Sequence, residues 1–248
     1  MPFFQYGETE KSHLSGRDPA LGAAISEIGH IEREVIPDMF TALVNSIVAQ
    51  QISSRALDTI WNRMLTGLGV ITPEIIASTS AEDIQKFGMT MKKATYIKRL
   101  ADMVLSEELD INRLFHMTDD EICTKLKSLS GIGIWTAEML MIFSMQRPDI
   151  LSWNDLAIHR GLRMLYRHRK ITKQLFNKYR RRYSPYATVA GLYLWAIAGG
   201  ACDGLSDPAA RTPAKRQKRT AAVAKQHCTI KKGDAPGNDL LKIHGERH

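Results

Sequence analysis

The stretch from Lys125 to Leu156, KLKSLSGIGIWTAEMLMIFSMQRPDILSWNDL, constrains this chain more than any other. At its centre Gly131-Ile132-Gly133 separates two apolar, periodic segments. Upstream, Thr118-Asp119-Asp120-Glu121 has the form of a capping box, in which a Thr and the Glu three residues on satisfy each other's backbone donors. It predicts a helix through Leu126. The two glycines then break the pattern, and a second helix is predicted from Ile134 or Trp135. A helix, a Gly-x-Gly turn and another helix leave N–H groups without intrahelical partners at the start of the second one. That end suits a phosphate, because unpaired donors and the helix dipole both favour an anion.

The remaining sequence is helical in pattern, with no alternating strand segment of useful length. Asp18 to Ile31 reads as one helix, with Leu21, Ile25 and Ile28 on one face. Asp38 caps an amphipathic helix carrying Phe40, Leu43, Val44, Ile47 and Val48. It leads into Gln50-Gln51-Ile52-Ser53, and Ser53 or Ser54 starts the next helix through Leu65. Thr72-Pro73-Glu74 and Ser80-Ala81-Glu82-Asp83 are further starts, and Lys92 to Leu105 repeats apolar residues at helical spacing. After the glycine turn come helices over Asp155–Leu165 and Thr172–Tyr183. Pro185 suits the first turn of a last helix that Gly199-Gly200 closes. The fold class is therefore all-α. The expected organisation is one helical domain over 1–202, with lobes over roughly 38–116 and 117–200, followed by a flexible basic tail over 203–248.

Of 248 residues, 44% are hydrophobic, enough for a real core. No charged-then-apolar leader opens the sequence and no apolar run spans a bilayer. The expectation is a soluble intracellular protein, in a prokaryotic cytoplasm or a eukaryotic nucleus. Three scattered cysteines imply neither a disulfide framework nor a four-cysteine iron–sulfur centre. The net charge of +8 is unevenly spread. Arg147 to Arg182 holds 11 Lys and Arg against 2 acids, whereas the rest of the chain before Asp203 is net −6. That basic segment fits either a polyanion-docking surface or a solvated helix face.

LSGIGIWTA, followed 22 residues after Gly133 by Asp155 in Asp-Leu-x-Ile, resembles the helix-hairpin-helix (HhH-GPD) DNA glycosylases. The 3-methyladenine DNA glycosylase II branch is the most similar. The resemblance runs over about residues 38–200. It implies two helical lobes around a cleft and cleavage of the bond between a damaged base and its deoxyribose, after the nucleotide has been rotated out of the duplex. The implied partner is double-stranded DNA containing damaged bases, bound by a monomer without a membrane, a cofactor or a side-chain metal site. The implied substrates are alkylated purines such as 3-methyladenine and 7-methylguanine.

Three tasks follow, and the resemblance supplies residues for each. Glycoside cleavage passes through an oxocarbenium-like state that a carboxylate stabilises, and the family's catalytic aspartate falls on Asp155. On residue type alone, Asp155 reads as an ordinary helix cap; the hairpin at the family spacing turns the reading toward catalysis. Aromatic faces attract the cationic bases, and the implied substrate-binding residues are Trp135, Trp195 and Tyr186. Each could instead be core packing. The DNA backbone would be held at Gly131, Gly133 and Thr136. Gln50, Gln51, Ile52 and Ser53 match the family loop that wedges into the gap left by the flipped base; Ile52 is the apolar wedge candidate and Ser53 its neighbour. An ordinary helix–helix turn is the alternative for these four. The resemblance further implies a monovalent cation on the carbonyls of Lys127, Leu129 and Ile132.

Trp135 stands where strand-nicking relatives carry a lysine nucleophile, and an indole forms no Schiff base, so monofunctional hydrolysis is expected. The sequence departs from the family at Ser130, Trp153-Asn154 and Ala187, which bears on base preference. Two other functions stay open at this point: a uracil or mismatch glycosylase, and a non-catalytic hairpin module that only binds DNA. Arg211 to Arg219 is expected to add salt-sensitive DNA affinity or to act as a localisation signal.

Overall fold

A computed structural model describes residues 2–210. Within them the chain forms thirteen α-helices, no strand and one isolated antiparallel bridge, Phe3 with Glu34. The helices are α1 (Glu8–Arg17), α2 (Pro19–Ile28), α3 (Met39–Ala49), α4 (Ser54–Leu68), α5 (Pro73–Ser78), α6 (Ala81–Gln85) and α7 (Met91–Leu105). They continue as α8 (Ile111–Leu114), α9 (Asp119–Lys127), α10 (Ile134–Phe143), α11 (Leu156–Tyr166), α12 (Lys173–Tyr183) and α13 (Ala187–Ala198). The all-α expectation holds. The caps that positioned these helices on paper are the caps in space: the side chains of Asp38, Ser53, Thr72, Ser80, Thr118, Asp155 and Thr172 each accept a backbone N–H from the first turn of their helix.

The chain divides into two compact units. Among the described residues, one comprises 2–5 with Glu32–Ile150, the other Tyr6–Ile31 with 151–210. The hairpin helices α9 and α10 thus share a unit with residues 38–116, whereas the sequence placed them at the edge of a second lobe. The physical reason is α3. Leu43, Val44, Ile47 and Val48 are all buried, and the helix packs on α4, α7 and α10. Largely apolar, α3 and α10 bury most of their side chains, and they pack on each other.

In the second unit α11 packs on α13, and α2 on α1 and α13. Gly161 lets α11 approach: a Cβ there would lie 2.3 Å from the Leu194 carbonyl oxygen. The buried Asp18 caps α2, its Oδ1 accepting the Leu21 N–H at 3.1 Å. Its Oδ2 accepts the Tyr166 hydroxyl and an Arg182 N–H, each at 2.6 Å. Burial opposes the charge on Asp18, but those hydrogen bonds outweigh it and hold the carboxyl below its ordinary pKa of 3.8. The Tyr166 hydroxyl is pushed far up, by burial first and then by the neighbouring Tyr183 and Asp18.

Three expectations shift. The helix foreseen over Asp18–Ile31 ends at Ile28, and α1 precedes it; with Leu14 its one buried residue, α1 left little periodic trace. Pro185 lies outside α13, which Tyr186 introduces. Residues 203–210, assigned to the tail, include ordered contacts: Asp207 accepts two hydrogen bonds from Arg163, at 2.5 and 2.9 Å, and Pro208–Ala210 form a 3-10 turn. Arg211 to Arg219, with the rest of the tail, lie outside the described residues. The basic segment is also partly spent on structure. Arg147 belongs to the first unit, where it pairs with Asp119 and donates to the Phe115 and Met117 carbonyls; Arg163 and Arg182 are the paired residues just described.

Candidate nucleic-acid interface and catalytic carboxylate

In the first unit, the loop after α3 and the hairpin turn are built against each other. Gln50 leaves the helix in extended geometry and Gln51 turns at φ +57°, a left-handed conformation. The chain is then captured by Ser53, whose Oγ accepts the Ala56 N–H at 3.3 Å and starts α4. Lys93 of α7 holds the loop from behind, its ammonium donating to the Val48 carbonyl at 2.8 Å and the Gln50 carbonyl at 2.6 Å. A cation on the last carbonyls of a helix complements its dipole. Burial lowers the Lys93 pKa below its ordinary value.

The Gln50 side chain spans 81 residues of sequence to donate to the Gly131 carbonyl at 2.6 Å. Gly131 takes φ +86°, and a Cβ there would meet the Tyr96 ring at 2.7 Å, so both backbone conformation and space demand glycine. Gly133 differs. It has φ −87°, is exposed, and no atom lies within 4 Å of where a Cβ would stand. As N-cap it brings no side chain to the donors of α10, which leaves the helix start without a side-chain cap.

Together these elements enclose a hollow of ≈ 440 Å³. One wall carries Gln50, Gln51, Ile52 and Ser53; the other carries Gly131, Trp135 and Thr136. Seven of the residues singled out from the sequence therefore meet in one place, and Gly133 stands outside it. Ile52 is half-buried and Gln51 exposed. Of the carbonyls assigned to a cation by resemblance, that of Leu129 already accepts the Ile132 N–H at 3.1 Å. Among the described residues no cluster of His, Cys, Asp or Glu is placed to hold a metal ion, and no helix is long and apolar enough to cross a membrane.

Asp155, Trp195 and Tyr186 belong to the second unit. Asp155 is the N-cap of α11 and 3% exposed, its Oδ1 accepting the Ala157 N–H at 2.8 Å and the Ile158 N–H at 3.0 Å. Two donors on one oxygen fix the carboxylate's orientation, so one side chain can serve both as the helix cap and as a candidate catalytic group. The loop entering Asp155 is also fixed: the His159 Nε2 lies 2.8 Å from the Trp153 carbonyl. The Trp153 ring meets His159 and Phe176 edge-on, with the Lys173 ammonium 4.4 Å from its centroid. Trp195 is half-buried on α13, next to the Leu194 carbonyl that Gly161 admits. Tyr186 stands half-buried before α13, its ring edge-on to His13 at 5.2 Å.

Sequence reasoning missed Lys93 and His159 and treated Tyr96 as core. Lys93 and Tyr96 lie one turn apart on α7 and support the loop and the turn respectively. Only that i, i+3 spacing could have hinted that they share a task.

The family model described as "HhH-GPD superfamily base excision DNA repair protein" matches residues 44–185, more than half of the chain. The chain belongs to the HhH-GPD superfamily. This HhH-GPD protein is 30% identical over 194 residues to DNA-3-methyladenine glycosylase 1 of Schizosaccharomyces pombe, covering 74% of the chain and 84% of that protein. It is 24% identical over 237 residues to DNA-3-methyladenine glycosylase of Saccharomyces cerevisiae, covering 78% and 80%. The crystal structure of a DNA-3-methyladenine glycosidase from Bacillus halodurans superposes with a TM-score of 0.73 at 34% identity, over 80% of this HhH-GPD chain and 93% of the other. The S. pombe 3-methyladenine DNA glycosylase in complex with abasic DNA gives 0.65 at 28%, over 77% and 96%.

Proposed function

We propose that this chain is a base-excision-repair DNA glycosylase that hydrolyses the N-glycosidic bond of alkylated purines flipped out of duplex DNA. Relatives that carry the 3-methyladenine glycosylase name over most of their length support the reaction class. The observation that carries the mechanism is Asp155, a buried carboxylate held in one orientation by the first turn of its own helix. A carboxylate so fixed lowers the energy of positive charge developing on the sugar. As the C1′–N bond breaks, a water oxygen bonds to C1′, its proton goes to the carboxylate, and the bond's electron pair leaves with the base. A base that is already cationic departs without acid assistance.

The hollow between the Gln50–Ser53 loop and the hairpin is the surface for the DNA backbone and for the wedge. Trp135 supplies an aromatic face at its wall, with Trp195 and Tyr186 as the further base-binding aromatics. With an indole at position 135 and no amine to form a Schiff base, the product is an intact strand with an abasic site. Such a protein works wherever the cell keeps its DNA.

Asp155→Asn tests the mechanism, because asparagine caps a helix about as well as aspartate and preserves the fold. Release of methylated purines should fall by about two to three orders of magnitude while affinity for abasic DNA stays within a factor of about two. Undiminished release would remove Asp155 from the chemistry.

A further inference from the structure

Between α3 and α10, a niche of ≈ 20 Å³ lies beside the hollow already described. Ser46 and Thr136 line both, so the niche is a recess bordering the hollow. It exists because α3 presents small residues, Ala42, Ser46 and Ala49, toward α10 along one helical stripe. The other walls are mostly apolar, from Met139, Leu140 and Phe143, with Ser144, whose hydroxyl donates to the Ile36 carbonyl. Into this apolar recess projects Asn45, 1% exposed, and neither its Nδ2 nor its Oδ1 has a hydrogen-bond partner among the described residues. A buried amide with no partner is a standing cost to the fold, and such groups persist where something else satisfies them.

The recess has room for roughly one or two groups the size of a water molecule. A whole base fits the hollow, and only its edge could enter the recess. Asparagine pairs with adenine in a particular way: Oδ1 accepts from the N6 amino group while Nδ2 donates to N7. We propose that Asn45 is a specificity-determining residue whose amide pairs with the N6/N7 edge of the extruded purine, selecting 3-methyladenine over 7-methylguanine. Methylation at N3 leaves that edge intact. In 7-methylguanine the methyl group removes the N7 acceptor and O6 replaces the amino donor, so neither half of the pairing survives. This inference rests on the alkylated-purine reading above.

The test is single-turnover release of 3-methyladenine and 7-methylguanine from matched duplexes by the wild type, Asn45→Leu and Asn45→Ala, with thermal unfolding of each. Leu fills the recess without polar groups; Ala empties it. Both variants should lose about ten- to a hundredfold in 3-methyladenine release, the range a bidentate pair commands, while 7-methylguanine release stays within about twofold and shows that they are folded. Asn45→Leu should unfold no earlier than the wild type, because it removes an unsatisfied amide. Equal losses on both substrates, or no loss on either, would overturn the proposal. Equal losses with a lowered Tm would assign Asn45 to a buried structural water instead. If the wild type released neither purine, the glycosylase reading itself would fall and take this one with it.

Discussion

The hollow of the first unit and the α11 terminus of the second use the same chain in opposite ways. Around the hollow, the groups offered outward are backbone donors and loop side chains, and the support comes from elsewhere, from Lys93 and Tyr96 of α7. At α11 the proposed catalytic group is a single buried side chain that its own helix orients, while Gly161 and the Asp18 network set the packing around that helix. A grip on a repeating backbone can be spread over many weak, replaceable contacts. Chemistry at one carbon needs one atom in one place, and two hydrogen bonds from the first turn of α11 hold the Asp155 carboxylate in one orientation.

If this division is right, damage to the second unit's scaffold should be costlier than damage to the hairpin's. The largest effect is expected from Asp18→Asn. It leaves Arg182 and Tyr166 without their carboxylate and should cost about 2–3 kcal/mol in denaturant unfolding, the range for hydrogen bonds to a charged group. The variant also carries a pH signature. The native pKa of Asp18 lies below 3.8, so its stabilisation is complete above that value and is lost as pH falls through the native pKa. Acid unfolding of the variant should be correspondingly less steep.

Gly161→Ala comes next. A methyl group at 2.3 Å from a backbone carbonyl has no flexible neighbour to displace, and overpacking of this kind costs about 1–3 kcal/mol. Its mark would be a lower Tm together with a slower saturating rate, because α11 carries Asp155. Gly131→Ala should cost about 1–3 kcal/mol through backbone strain, since φ is +86°, with the Tyr96 contact added. Its signature should be weaker DNA binding. Gly133→Ala closes the series at about 0.5 kcal/mol, a cap effect alone. Equal losses at the two hairpin glycines would show that the turn is not held where Gly131 meets Tyr96.

The sequence carried the helices well where a capping residue marked the start, as at Asp38, Thr118 and Asp155. Local chemistry sets such starts, so the seven caps and the glycine turn were visible without coordinates. It carried α1 and α8 poorly, because each buries one residue and neither imprints a period. The loop and hairpin residues were legible by resemblance, but their meeting was not: the Gln50–Gly131 bond and the Lys93 clamp join positions 81 and 43 apart. The division at Ile150 was likewise invisible, since the α3–α10 packing that decides it leaves no local sign. Asn45 shows the limit most plainly. On a helical wheel it is one polar residue in an apolar segment, and only its neighbours in space show that its amide goes unanswered.

The most direct test of the separation between grip and chemistry is one titration. Single-turnover release of 3-methyladenine is followed against protein concentration for the wild type, Asp155→Asn and Gln50→Ala. The account predicts that Asp155→Asn lowers the plateau at an unchanged half-saturation point, while Gln50→Ala raises the half-saturation point at an unchanged plateau. Variants that both moved the same parameter, or an Asp155→Asn plateau equal to that of the wild type, would contradict it.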